Sequence, residues 1–269
     1  MKNLSFNAYT LKWIAVIAMI MNHIAIAFNP ILPLQALLPL YAVGGLTYTI
    51  MAYFIVEGYR HTSNLKKYLS RLLLFGIIAQ AFHPMVLGIT AMMPGIFLNI
   101  LFTIILSLIV LVMYDKIKVR FLFWVLFVVA CFVSLFMDLF FMGILVPLLY
   151  YTIKKESVRR TLPGMVAGTV WLLLGLLSVL SLVMLQNAPG MEAEFQSTLE
   201  STGMSMDLLL ATPTFAIGCF AGAILIRNYN GERGKPAKWL FYVAYPLHLA
   251  VIAGIGVSLG VIEFSLFGF

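Results

Sequence analysis

The chain has 269 residues, of which 62% are hydrophobic and only 10% charged, with mean hydropathy +1.03 and a formal net charge of +7. Soluble domains carry roughly 25% charged residues, so this composition excludes one and reads as an all-α integral membrane protein. The basic excess does not indicate nucleic acid, because Lys and Arg lie between apolar stretches or at their ends rather than in one patch.

A spanning helix needs about 20 apolar residues. Nine stretches approach that in chain order: 11–28, 37–57, 69–84, 94–113, 120–136, 138–153, 162–186, 208–226 and 238–260. They leave no room for a sizeable soluble domain, so residues 1–269 are expected to form one polytopic helical bundle. With a cytoplasmic N-terminus, nine crossings put all 17 Lys and Arg residues on one side. Glu192, Glu194, Glu200, Asp207 and Glu263 fall on the other, in keeping with the positive-inside rule. The weakest stretches are the third, ending near Gln80 and His83, and the tight reversal at Met137-Asp138. Ala25-Ile26-Ala27 also has the small-residue spacing of a signal cleavage site, which gives the first stretch an alternative reading.

Within the first stretch, Asn22 and His23 are polar side chains at membrane depth. Such residues must face a partner, the protein interior or a water-filled cavity, which makes them functional candidates. Counting 1.5 Å per residue from Leu11 puts His23 about 18 Å into the bilayer. Counting from Lys238 puts His248, in the last stretch, about 15 Å in. Phe241, Tyr245 and His248 share one face of that helix. Pro246 beside them should kink it and free the Tyr242 carbonyl, and freed backbone at this depth needs a polar partner.

The loop after the second stretch carries Glu57, Tyr59, Arg60 and His61, and its continuation reads as an amphipathic helix. Lys67 and Arg71 share one face, Leu65, Tyr68, Leu69 and Leu72 another, with Asn64 or Ser63 as the cap. Two readings stand: an interfacial helix with its basic residues on anionic lipid, or a landing surface for a phosphate-bearing ligand such as coenzyme A. On the fourth stretch Asn99, Thr103 and Ser107 form a stripe that can join helices by hydrogen bonds, and Asp138 sits at an outer boundary. Gly164 with Gly168, and Gly218 with Gly222, have the spacing of close helix packing. The external segment 187–207 reads as an acidic tether or acceptor screen. Cys131 and Cys219 both fall inside stretches and read as packing residues. The four histidines are too dispersed for a metal assignment, and no zinc, P-loop, nucleophile-elbow or dinucleotide motif occurs.

Leu11-Lys12-Trp13-Ile14-Ala15 with Met21-Asn22-His23-Ile24, the block from Val56 to Thr62 with Asn64, Lys67-Tyr68 and Arg71-Leu72, Asn99 with Phe102-Thr103, and Lys238 to Tyr242 with Tyr245-Pro246-Leu247-His248 together resemble the TraX family, in the family's order. The resemblance implies a multi-pass protein of the bacterial inner membrane related to pilin N-acetylation and fimbrial assembly, with a fold similar to polytopic acyltransferases of surface glycans. It also implies His23 as the catalytic residue. The chain departs from the family pattern at Asn22, where an acidic residue is usual, and at Gly45 and Thr49, which stand where an arginine and a proline are usual. An Asn22 amide can hold an imidazole tautomer but cannot stabilise an imidazolium as a carboxylate would.

The leading expectation is acyl transfer from acetyl-CoA, or another acyl-CoA, to an amine or hydroxyl of a pilin-like protein or a surface glycan. An unperturbed histidine titrates at about pH 6.5, which suits a general base. His23 takes that role or carries the acyl group. His248 and Tyr245 bind the oxyanion, Glu57 orients the entrance, and Arg60, Lys66, Lys67 and Arg71 bind coenzyme A phosphates. Asn22, Tyr59, His61, Asn99, Thr103, Asp138 and Tyr242 complete the expected donor and acceptor surface. Membrane lipid is the surrounding partner, and a thioester donor needs no bound metal or redox cofactor. Two rivals remain: a transporter with a midplane site, which would move substrate without consuming acyl-CoA, and a non-catalytic assembly protein.

Overall fold

The computed structural model describes residues 5–88, 97–188, 190, 193, 196–197, 205–236 and 238–264. Among them the chain is all-helical, apart from two isolated β-bridges, Phe6 with Tyr229 and Leu98 with Met137. The helices are α1 Ala8–Ala27, α2 Leu34–His61, α3 Leu65–Gln80, α4 His83–Leu87, α5 Ile100–Lys116, α6 Arg120–Ser134, α7 Met142–Thr152, α8 Glu156–Arg159, α9 Leu162–Gln186, α10 Met206–Ala211, α11 Phe215–Arg227 and α12 Lys238–Ser258. A 3-10 turn, Thr212–Thr214, links α10 to α11. Five segments are long and apolar enough to cross a membrane: α1, α2, α8 with α9, α10 with α11, and α12.

The helices α3, α5, α6 and α7 coincide with expected crossings but have only 16, 17, 15 and 11 residues. The third expected stretch breaks at Ala81-Phe82, because Pro84, in the first turn of α4, has no N–H for the Gln80 carbonyl four residues back and its ring crowds that carbonyl. The separate amphipathic helix expected after Asn64 is not a separate element. It is the first half of α3, capped by Asn64 Oδ1, which accepts from Lys67 N at 2.9 Å. The fourth stretch begins at Ile100 rather than 94, with residues 94–96 outside the described set. Glu192, Glu194 and Glu200 also lie outside it. The α6–α7 reversal is where the sequence put it, and Leu139 and Phe140 make the turn with φ of 65° and 46°.

α2 is the axis of the bundle, packed on α1 along one side and α11 along another. A Cβ at Gly45 would lie 2.1 Å from Phe215 O, and one at Gly218 would lie 2.1 Å from Ala42 O, so α2 and α11 cross with backbones in contact. Gly164 and Gly222 both pack on Thr49, and Gly168 packs on Phe220. Both glycine pairs are therefore packing devices. No side chain of arginine size fits at position 45, and this close crossing is the physical counterpart of the departure there. α1 is a packed member of the bundle, with Ala25 and Ala27 buried.

The polar stripe on α5 joins helices. Asn99 Nδ2 donates to Gly76 O at 2.8 Å and Gln80 Oε1 at 2.9 Å, Thr103 Oγ1 to Asp138 O at 2.9 Å, and Ser107 Oγ to Gly143 O at 2.7 Å. At the end of the bundle bearing the α1–α2 turn, Asp207 Oδ2 accepts from Leu34 N at 3.1 Å, and Asn29 Oδ1 from Ser205 N at 2.8 Å. These bonds tie the start of α10 to that turn.

Candidate functional site

Two histidines meet inside the bundle. His23, late in α1, and His248, in the middle of α12, have ring centroids 4.8 Å apart, and His248 Nε2 lies 3.2 Å from His23 Nδ1. Each Nδ1 also faces the carbonyl one turn back, His23 Nδ1 to Met19 O at 2.9 Å and His248 Nδ1 to Ala244 O at 2.8 Å. A carbonyl oxygen only accepts, so both Nδ1 atoms carry the hydrogen when the rings are neutral. His248 Nε2 is then a lone pair that accepts from His23 Nδ1–H, and His23 Nε2 is left as a lone pair able to take a proton.

This geometry revises two expectations. His248 cannot donate to an oxyanion through Nε2 while that lone pair accepts from His23; it positions the His23 ring instead. Asn22 does not hold the His23 tautomer, because the Met19 carbonyl does so. The Asn22 side chain lies against Gly44 of α2, where a Cβ would come within 2.4 Å of Nδ2, and Nδ2 is buried without a hydrogen-bond partner.

Tyr245 completes the cluster, its ring centroid 6.4 Å from His23 and 5.5 Å from His248. Its hydroxyl is buried near the Ile100 N–H at the start of α5, and its own proton has no acceptor. Nearby, His83 Nε2 lies 2.9 Å from Asp138 Oδ2, and the His83 ring stacks on Phe97 at 6.1 Å. The short α4 that carries His83 packs on both α1 and α12. Asn99 and Thr103 border this group but spend their side chains on the helix-joining bonds above.

The remaining expected residues gather at the basic end of the bundle, away from the histidines. Glu57 is taken up by Arg60 at 3.6 Å, His61 at 3.6 Å and Arg159 at 3.9 Å. Tyr59 donates to Asp115 at 2.8 Å, and Arg60 donates to Tyr151 O at 3.0 Å. These contacts fasten α2 to α5, α7 and α8, and Glu57 makes no contact with the histidine pair, because it stands near the end of α2 among basic residues that offer nearer partners. Lys66 and Lys67 are exposed.

Arg71 meets α12 nearer its basic end. Its guanidinium lies over the Tyr242 ring at 5.6 Å, with Nε 3.4 Å from the hydroxyl, and Tyr242 stacks on Phe75. Tyr242 precedes His248 by six residues, about 9 Å along α12. Lys12, which the motif reading did not assign a role, lies over Phe54 at 5.0 Å and Phe241 at 5.8 Å. Among the described residues it pairs with no carboxylate. It precedes His23 by eleven residues, three helical turns, and so shares its face about 16 Å away. That spacing was the signal in the sequence that could have found it.

Against known proteins, the family model described as "TraX protein" matches residues 7–256. The chain belongs to the TraX family. This TraX-family chain is also 28% identical over 267 residues to "Probable fimbrial assembly protein FimC, serogroup H1" of Dichelobacter nodosus, covering 93% of this chain and 96% of that protein. No solved structure matches it.

Proposed function

We propose that this TraX-family protein is a multi-pass acyltransferase of the bacterial inner membrane, with its N-terminus in the cytoplasm, moving an acetyl group from acetyl-CoA to an amine or hydroxyl on a pilin-like protein or a surface glycan. The observation that carries the reading is the His23–His248 contact, which leaves His23 Nε2 free as a base at membrane depth. In support, Lys12 at the basic end of the bundle shares a face of α1 with that base. Lys12, Arg71 and the exposed Lys66 and Lys67 supply cations for the phosphates of coenzyme A.

In this mechanism the acceptor nitrogen or oxygen bonds to the thioester carbon while His23 Nε2 takes its proton. The C–S bond breaks as the tetrahedral intermediate collapses, and the proton passes from His23 to the departing thiolate. His248 Nε2 accepts from His23 Nδ1–H throughout and steadies the imidazolium. The Tyr245 hydroxyl, whose own proton has no acceptor, donates to the oxyanion.

His23→Ala in lipid nanodiscs, supplied with labelled acetyl-CoA and candidate acceptors, should lose transfer by about 10²-fold or more while remaining membrane-inserted. Transfer at the wild-type rate would end this reading. A non-catalytic assembly role is the second reading, favoured by the description of the Dichelobacter nodosus relative as a fimbrial assembly protein. It predicts a stable complex with a pilin subunit and no consumption of acetyl-CoA.

A further inference from the structure

The His83–Asp138 pair stands apart from the donor's cations, and the mechanism above does not use it. His83 is buried to 1% side-chain exposure, while Asp138 keeps 16%. With its Nε2–H directed at Asp138 Oδ2, the neutral ring leaves Nδ1 as a lone pair, and that atom is buried without a partner. A buried acceptor left without a donor is costly to keep, so its persistence marks capacity for a proton or a donor from outside. The short α4 that carries His83 packs on α1 and on α12, so the dyad stands beside the helices that bear His23 and His248.

Helix lengths indicate how Asp138 is reached. α6 and α7, with 15 and 11 residues, rise only about 22 and 16 Å, against a hydrocarbon core of about 30 Å. Both helices have one end at a basic loop, Lys116–Arg120 and Lys154, and the non-helical turn that joins them, residues 135–141, lies at their far ends. Non-helical backbone at membrane depth is tolerated where protein buries it or where it lines a water-filled cavity. Asp138 sits at this turn, part of it still accessible.

We propose that the His83–Asp138 dyad docks the acceptor from the side opposite the basic loops and takes its first proton. This rests on the acyltransferase reading. A protonated amine must lose two protons to become an amide, one before attack and one with it. In the first step the ammonium pairs with Asp138, its N–H bond breaks, and the proton passes to the dyad; the neutral amine then attacks. The second proton goes to His23 and on to the thiolate, while the dyad returns the first to water. Ammonium and thioester thus yield amide, thiol and one released proton. An acceptor that is already neutral needs only His23, so the dyad favours an amine acceptor over a hydroxyl.

The test compares a pilin N-terminal peptide with the same peptide carrying an aminooxy group, neutral at neutral pH, in place of its α-amine. Wild type, Asp138→Asn and His83→Asn are assayed in nanodiscs with labelled acetyl-CoA. Both variants should lose about 10²-fold or more on the α-amine peptide, keep aminooxy transfer within a few-fold, and recover part of the amine rate as pH rises and free amine accumulates. The retained aminooxy rate separates this role from damage to the fold. Loss on both acceptors together, or on neither, would overturn it. Wild type that transfers to neither acceptor would remove the acyltransferase reading and the dyad's role with it.

Discussion

At the scale of single residues, the histidine pair behaves as one unit because two backbone carbonyls fix its protons. His248 contributes an acceptor, so what replaces it matters by chemistry rather than size. His248→Ala should lower kcat by about 10²-fold with little change in the KM for acetyl-CoA, since the donor's cations lie elsewhere. His248→Gln, whose side-chain oxygen can accept from His23 Nδ1–H, should recover part of that loss; equal kcat for the two variants would argue against a positioning role. The identities of His23 and His248 and their similar depth were legible in the sequence, because two polar residues in apolar runs stand out by composition. Their tautomers were not legible, since those depend on the distance from each ring to Met19 O and Ala244 O. Asn22 was misread for the same reason: adjacent residues on a helix point about 100° apart, and Asn22 faces Gly44 while His23 faces α12.

At the scale of elements, small residues decide how close helices come. The crossing of α2 and α11 leaves no volume at Gly45, where a Cβ would press on the carbonyl oxygen of Phe215. Overpacking of this kind costs about 1–3 kcal/mol, and Gly45→Ala should lower the thermal stability of the purified protein accordingly. Gly254→Ala is the control: a Cβ there meets nothing within 4 Å, and the change should be neutral. A Gly45→Ala variant as stable as the control would show that the two helices can part freely. The sequence marked where apolar helices run, since hydropathy and charge are local properties. It did not mark how far α6 and α7 extend, because a helix ends where its caps and neighbours allow. At 15 and 11 residues they are shorter than the lengths the sequence suggested.

At the scale of the molecule, the five long segments and the positive-inside distribution agree once the short helices are paired. α3 with α5, and α6 with α7, each leave a basic loop and return to one, so neither pair changes the side on which the next long segment begins. The long segments then alternate: α1 outward, α2 inward, α9 outward, α10 with α11 inward and α12 outward. This proposed topology holds whether the short pairs cross fully or turn back within the bilayer. It can be checked by replacing Cys131 and Cys219 with Ala, then adding single cysteines at the exposed positions Ser63, Ser157, Lys235, Asn187 and Glu263. An impermeant maleimide should label positions 63, 157 and 235 only from the cytoplasmic face, and positions 187 and 263 only from the other. Opposite sidedness of 63 and 157 would break the pairing of short helices, and with it the placement of Asp138 on the face opposite Lys12 and Arg71.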